Sequence, residues 1–356
     1  MSLPPPPDPA ASPTGPEAGP VRSASVLIPT HNRSELLGRT LASLAGVRRP
    51  AGWDLEVVVV ANNCGDDTVA VAERGLARLR EAWGDLAAAG DDLQNPPPAG
   101  GDAGSGGGVR AWVVEEPEPG LNPARNRAVR ESRGEVCLFL DDDVRLDAGW
   151  LEGMREGFDR LGADIVGGRV TLWWDVVQRP DWLPDSADSL LSANDGGSEA
   201  AELSSSTGLI GANFGFRRRV YDAVGGFRAG LDRVGDSLMG GGETEFVGRA
   251  LREGFAGYYV PGAWVEHWVA PERLERRYLV GVAYGGGLAR VLMKPAFPLP
   301  VAARTVAGHA WLAGSAGLKM ALARLAGRKR AELSAACLSA VGRGGLAGVR
   351  RRWSGA

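Results

Sequence analysis

Cysteine and histidine are scarce in this chain of 356 residues, with three of each. Cys64, Cys137 and Cys337 are odd in number and far apart, which excludes a disulfide framework or a metal-knuckle spacing and points to a reducing, cytoplasmic setting. The opening MSLPPPPDPAASPTGPEAGP has neither a basic start nor an apolar centre. It is expected to be a disordered Pro-rich leader over 1–22, not a signal peptide. No apolar run reaches the roughly 18 residues that a membrane-spanning helix needs. No GxGxxG follows the first apolar segment, which argues against a dinucleotide-dependent oxidoreductase. PTHNRSELL also lacks the Gly-rich basic loop that a sugar-phosphate nucleotidyltransferase would place there. There is no internal repeat.

Hydrophobic content is 44%, enough for a sizeable core, and the length suits one large domain or two ordinary ones. Formal charge is −3, but Val301 to Ala356 holds ten Lys and Arg against the single acid Glu332, leaving about −12 for the residues before it. Apolar runs Ser25 to Ile28, Leu55 to Val60, Val109 to Val114 and Glu135 to Leu140 read as buried strands. Amphipathic helices lie between them: one that Ser34 is expected to cap, with Leu36, Leu37, Leu41 and Leu44 on one face, one over Val69 to Trp83, and one over Pro123 to Ser132. The Gly, Pro, Asp and Ala stretch Asp85 to Gly108 is expected to be an inserted flexible loop. Such a βαβαβαβ series predicts an α/β fold with a mostly parallel sheet, whose ligands bind beyond the carboxyl ends of the strands. His31/Asn32/Arg33, Asn62 to Asp67 and Asp141 to Asp143 all fall at those ends.

The last of these clusters is the most informative. Asp141, Asp142 and Asp143 close an apolar strand, and three adjacent carboxylates repel one another unless a cation joins them. Hard oxygen ligands suit Mn²⁺ or Mg²⁺, ions that usually also take oxygens from a substrate phosphate. The bland alternative is a solvated turn with Asp147 capping the next helix. Further on, Asp164 to Thr171 reads as a strand, followed by a loop containing Trp173, Trp174 and Trp182 that would serve equally as core or as an aromatic stacking platform for a ligand. Gly240 to Gly242 run into an amphipathic helix with Glu243 and Glu245 in its first turn, where the helix dipole favours acids. His267 is the most suggestive histidine, and two or three helices are expected beyond Pro271.

SVLIPTHNR, VVVVANNCGDD, EPGLNPARNRAV, GEVCLFLDDDV, GANFGFRR, YDAVGGF, GGGETEFVGRAL and YYVPGAWVEH resemble, in order and rough spacing, the inverting family 2 glycosyltransferases of GT-A fold. The resemblance spans about residues 24 to 268. It implies a domain over 23–270, a helical basic extension over 271–356, and a donor that is a nucleotide-diphosphate sugar. Pro29, Thr30, Asn32 and Arg33 would face the nucleotide, Asn62, Asn63 and Asp66 the base, and Arg125 and Asn126 the nucleotide and diphosphate. Where members commonly carry an acid, this chain has Ala61. Asp141 and Asp142 match the rest of the triplet, Asp141 facing sugar or ribose, and Asp143 matches the direct metal ligand. His267 matches a histidine near metal and leaving diphosphate. Glu243 falls where the family carries its general base.

The chemistry of sugar transfer asks for the same parts: a divalent cation to stabilise the leaving diphosphate and a carboxylate to take the proton of the attacking hydroxyl. Glu243 suits the second role because a helix start fixes its backbone, while Gly240 to Gly242 would give an acceptor room to approach. Glu245 is the rival base, and His31 reads as a loop residue. The acceptor would be a saccharide or a lipid-linked glycan. The basic C-terminal helices suit either packing on the catalytic domain or the inner face of a membrane as a peripheral contact. Nucleic acid is not an expected partner, since no binding module accompanies the cations. A degenerate nucleotide-sugar-binding scaffold is the competing non-enzymatic reading, and it would require eroded carboxylates where this chain keeps them.

Overall fold

A computed structural model describes residues 19–84, 108–205, 208–231, 238–294 and 298–354. The expected leader up to residue 18, and the expected inserted loop up to residue 107, lie outside the described residues. Three strand–helix units come first: β1 (Ser23–Thr30) and α1 (Ser34–Ala45), β2 (Asp54–Asn62) and α2 (Thr68–Trp83), β3 (Val109–Glu116) and α3 (Leu121–Glu131). Then come β4 (Val136–Leu140), β5 (Val144–Leu146), α4 (Trp150–Arg155), β6 (Ile165–Trp173), β7 (Ala201–Glu202), β8 (Asn213–Arg217), α5 (Arg218–Val224), α6 (Gly242–Arg252) and β9 (Gly257–Trp268). Three helices complete the chain: α7 (Arg276–Leu292), α8 (Leu299–Leu325) and α9 (Lys329–Ser354).

The strands form one sheet in the order β3-β2-β1-β4-β8-β6-β9-β5, with β7 added to β9. Its first four strands are parallel, as the apolar runs predict. The second half is mixed: β8 runs antiparallel to both β4 and β6, while β6 and β9 pair in parallel. Alternation along the strands sorts side chains between two cores. Val26, Ile28, Val57 and Val59 join Leu37, Leu41, Ala72 and Leu76 under α1 and α2. Leu27, Val58 and Val60 face the other way, towards α3 and a cluster of phenylalanines from β4, β8 and α6. Phe139, Phe214, Phe216, Phe227 and Phe246 meet there with ring centroids between 4.6 and 6.4 Å apart.

One glycine fixes how the parallel strands begin. A Cβ on Gly134 would sit 2.6 Å from the backbone nitrogen of Ser25, so the approach of β4 to β1 requires its absence. Beside it the buried Glu56 accepts hydrogen bonds from the Ser25 hydroxyl at 2.7 Å and the Gly134 amide at 3.2 Å, which ties β1, β2 and the start of β4 together. The C-terminal helices make a third core, in which Leu279, Ala283, Leu333, Cys337 and Ala340 close over Leu183, Ala187, Leu191 and Val269. Among the described residues three α-helices lie beyond Pro271, the upper of the two expected numbers.

Candidate active site

The carboxyl ends of β1, β2 and β4 converge on a cavity of about 710 Å³, which is also bounded by the starts of α3 and α6 and the end of β9. Asp141 and Asp142 open the turn after β4, and the walls include Arg33, Asn63, Arg125, Glu243, His267 and Arg273. The expected crevice is therefore present. Its acidic turn is held from several directions. Asp142 accepts from the Thr30 hydroxyl at 2.7 Å and from Arg33 Nη1 at 3.0 Å. Asp143, buried at 2% exposure, accepts from Arg33 Nη1 at 2.9 Å and from Arg273 Nη2 at 3.0 Å through the same Oδ2. Its other oxygen lies 3.3 Å from His267 Nε2.

The placement of His267 follows from strand register, because Val144 pairs with His267 across β5 and β9 and so brings the ring beside the residue before Val144. Asp141, Asp143 and His267 each offer one ligand atom, all within 4.8 Å of one another. Two hard carboxylate oxygens and an imidazole in that space fit a divalent cation such as Mn²⁺ or Mg²⁺. As folded, the carboxylates are compensated by two guanidinium groups. Burial and the neighbouring Asp143 push Asp141 up to about 6, with Arg125 opposing the rise. Burial likewise raises Asp142, and the guanidinium of Arg33 is held above its ordinary value chiefly by Asp142.

Arg125 bridges the two halves of the site. Its side chain is 2% exposed, its guanidinium carbon lies 5.7 and 5.5 Å from the Phe214 and Phe227 ring centroids, and Nη1 donates to Glu243 Oε2 at 3.0 Å. Glu243 retains 18% exposure into the cavity. Glu245, the rival acid, does not line the cavity: it is buried, its two carboxylate oxygens share Arg249 Nε at 2.9 and 3.0 Å, and it pairs with Arg228 at 3.1 Å. Two of the glycines before α6 also permit close packing. Gly241 has φ +135° with Met293 Cε 2.3 Å from where a Cβ would stand, and a Cβ on Gly242 would meet the Asn122 amide at 2.2 Å. All three glycines line the cavity, and of the three only Gly240 has open space where a Cβ would stand.

Other residues singled out in the sequence divide between wall and scaffold. Pro29, Thr30, Arg33, Asn62 and Asn63 line the cavity. Asn62 spends its amide on structure, accepting from Gly120 N at 2.9 Å and donating to the carbonyls of Glu116 and Glu118 at 3.1 and 2.6 Å. Asn32, Asp66 and Asn126 are not among the lining residues. Asn32 accepts from Gly65 N, Asp66 accepts from the amide and hydroxyl of Thr68 at the start of α2, and Asn126 exchanges bonds with the Phe227 backbone at 2.8 and 2.9 Å. Ser34 does not cap α1; the cap position belongs to Arg33, whose side chain is on the aspartates. None of Trp173, Trp174 and Trp182 lines the cavity. Arg145 covers Trp173 at 4.8 Å, and Trp174 and Trp182 pack on the third core.

Sequence reasoning missed two contributors. Thr40, buried inside α1, places its hydroxyl 2.9 Å from the carbonyls of Asp142 and Val144 and accepts from Val144 N at 3.1 Å, fixing the acidic turn. Arg273 comes from a short 3₁₀ turn, Pro271–Leu274, beyond the stretch that carries the resemblance, and touches both Asp143 and His267. A basic run soon after His267, ERLERR, was the available signal.

Comparison with known proteins adds to this geometry. Residues 103–225 match the profile described as "Glycosyl transferase family 2". The chain is 25% identical over 181 residues to the glucosyl-dolichyl phosphate glucuronosyltransferase of Haloferax volcanii, covering 50% of this chain and 57% of that protein. It is 27% identical over 146 residues to glycosyltransferase AglE of the same organism, covering 41% and 38%. The matches thus span little more than half of the first relative and less of the second. Among solved structures, the mannosyltransferase PcManGT from Pyrobaculum calidifontis, in complex with GDP-Man and Mn²⁺, aligns over 92% of this chain and 88% of that one at a TM-score of 0.54 and 18% identity. At that identity the likeness concerns the fold, which is the GT-A arrangement.

Proposed function

We propose that this chain is a family 2 glycosyltransferase and that it moves a sugar from a nucleotide-diphosphate sugar to an acceptor hydroxyl with inversion at the anomeric carbon. The observation that carries the reading is the meeting, in one cavity, of an aspartate–histidine cluster and a separately held carboxylate, Glu243. The GDP-Man and Mn²⁺ bound by the mannosyltransferase of the same fold support a nucleotide-sugar donor and a divalent cation. The dolichyl phosphate in the name of the Haloferax relative supports a lipid-linked acceptor, and a saccharide acceptor would meet the same chemistry.

Asp143, Asp141 and His267 would hold the cation, Mn²⁺ or Mg²⁺, which supplies electrostatic stabilisation to the departing diphosphate. Thr30 and Thr40 hold the backbone and Asp142 of the acidic turn in place before any ligand arrives, while Arg33 and Arg273 on Asp143 would yield that oxygen to the cation. Arg33, Arg125 and Arg273 on the cavity wall offer guanidinium donors that match phosphate oxygens. Pro29, Thr30 and Asn63 form the wall against which the nucleoside rests.

In the transfer, the acceptor oxygen forms its bond to the anomeric carbon as the bond from that carbon to the diphosphate oxygen breaks. The acceptor proton passes to the Glu243 carboxylate, which Arg125 orients, and the nucleoside diphosphate leaves with the bonding pair. A thermal-shift panel of UDP-, GDP- and dTDP-sugars with metal identifies the donor, since a ligand raises apparent stability according to its affinity. Release of nucleoside diphosphate should then require Mn²⁺ or Mg²⁺ and disappear in Asp143→Ala. Full turnover in excess chelator would overturn the metal-dependent reading.

A further inference from the structure

α8 is built from apolar residues and yet is barely covered. Of its 27 residues only Ala302, Ala316 and Ala323 are buried, a narrow seam for a helix whose principal contact is with α9. On the rest of its surface Trp311, Leu318, Leu322 and Leu325 are 73%, 64%, 58% and 86% exposed. They are separated by 7, 4 and 3 residues, so on an ideal helix they fall within an arc of about 60°. Leu338 of α9, itself exposed, shares a shallow hollow with Leu322 and Ala323 and widens the apolar strip. An exposed apolar face of this size on a folded chain marks a surface that meets something else.

Charge identifies what it meets. Exposed Arg304, Lys319 and Arg324 lie on α8, exposed Arg328 follows in the turn, and exposed Lys329 and Arg330 open α9, Arg330 Nε donating to the Asp181 carbonyl at 2.5 Å. Glu332, the only acid from Val301 onward, is neutralised by Arg276 at 2.8 Å. A second copy of the chain would bring like cations together along the strip, whereas an anionic bilayer complements them. The remainder of the molecule is strongly acidic and is repelled by the same surface, which orients the docking. No helix among the described residues is long and apolar enough to cross a membrane, so the helix would lie along the surface.

We infer that α8 is an interfacial helix that seats Trp311, Leu318, Leu322 and Leu325 in the headgroup region of an anionic lipid bilayer, with Arg328, Lys329 and Arg330 on the lipid phosphates. The inference does not rest on the catalytic reading. It is tested with the full chain, free of donor and metal, by co-sedimentation with phosphatidylcholine vesicles with and without phosphatidylglycerol. Binding is expected to the anionic vesicles and to weaken with salt. Each cation contributes about fivefold to that preference, so Arg328→Gln/Lys329→Gln/Arg330→Gln should lose most of it. Trp311→Ser/Leu322→Ser should weaken partitioning by about 100-fold, roughly tenfold for each apolar side chain withdrawn. Those two side chains are exposed in the free protein, so an unchanged thermal midpoint keeps the comparison clean. The inference is overturned if the chain does not bind anionic vesicles, or if Trp311→Ser/Leu322→Ser binds as well as the parent. It is equally overturned if that variant only dissociates a dimer.

Discussion

Replacing Glu243 by Gln removes a charge while keeping a hydrogen-bond acceptor for Arg125, and the structure sets the size of each effect. Charges about 4 Å apart attract by about 4 kcal/mol at an effective dielectric of about 20. Most of that offsets the desolvation of a guanidinium that is 2% exposed, and Glu243 at 18% exposure is partly screened. The neutral bond to the Gln amide oxygen should therefore leave the fold weaker by only about 1 kcal/mol. Glu243→Ala is the poorer experiment, because an uncompensated buried Arg125 would cost about 3–5 kcal/mol and confuse folding with chemistry. Loss of a general base lowers turnover by about 10²- to 10⁴-fold, which raises the barrier by about 3–5 kcal/mol. The assay is nucleoside diphosphate release with saturating donor and acceptor, alongside calorimetric binding of the donor. Expected is a collapse in kcat with the donor Kd nearly unchanged. Turnover within about fivefold of the parent, at an unchanged thermal midpoint, would refute the base assignment and pass the role to a group that geometry has not nominated.

Other outcomes follow from neighbouring contacts. Asn213 is fully buried and bonds Trp150 Nε1 at 2.9 Å and the carbonyls of Ala263 and Arg169 at 2.7 and 3.1 Å; Asn213→Ala should cost about 3 kcal/mol or more in denaturant unfolding. Asp66 is held below its usual carboxylate range chiefly by the Thr68 hydroxyl, so its stabilisation is present above the unfolded-state value and is lost as pH falls through the depressed one. Asp66→Ala should destabilise the fold slightly near neutrality, by roughly a few tenths of a kcal/mol at so exposed a site, and converge with the parent at strongly acid pH in pH-resolved thermal melts. Arg273 occupies Asp143 Oδ2, so Arg273→Gln should bind Mn²⁺ severalfold more tightly in the absence of nucleotide, read by electron paramagnetic resonance; unchanged or weaker binding would show that the guanidinium does not compete.

Much of this was legible because the chain advertises it locally. Val57 to Val60 and Val26 to Ile28 are continuous apolar runs, and a strand sandwiched between two helical layers needs that pattern. The acidic turn was readable from three letters, because only special surroundings tolerate such a triplet. What escaped is the set of groups that make it tolerable. Thr40 looks like an ordinary helix residue, and nothing within a few residues of it reveals that its hydroxyl holds Asp142 and Val144 more than 100 positions away. Asn62 shows the same limit: resemblance placed it at the nucleotide end of β2, but its three bonds to 116–120 depend on how β2 and β3 align. The packing of the glycines before α6 was hidden for a related reason. Gly241 and Gly242 are set by Met293 and Asn122, partners distant in the chain and invisible in its local composition.

The pairing of Asp143 with Arg273 spans 130 positions, and that with Arg33 spans 110 in the other direction. Synthesis proceeds from the N-terminus, so the emerging acidic turn meets Arg33 early, and neither His267 nor Arg273 exists when β4 first has the chance to join the sheet. Until the ribosome has released the 3₁₀ turn, the nascent carboxylate cluster has only one of its two arginines. The site is thus completed late in the life of each molecule, and a polypeptide truncated before residue 273 would contain every strand segment of the sheet yet lack the guanidinium that Arg273 brings to Asp143.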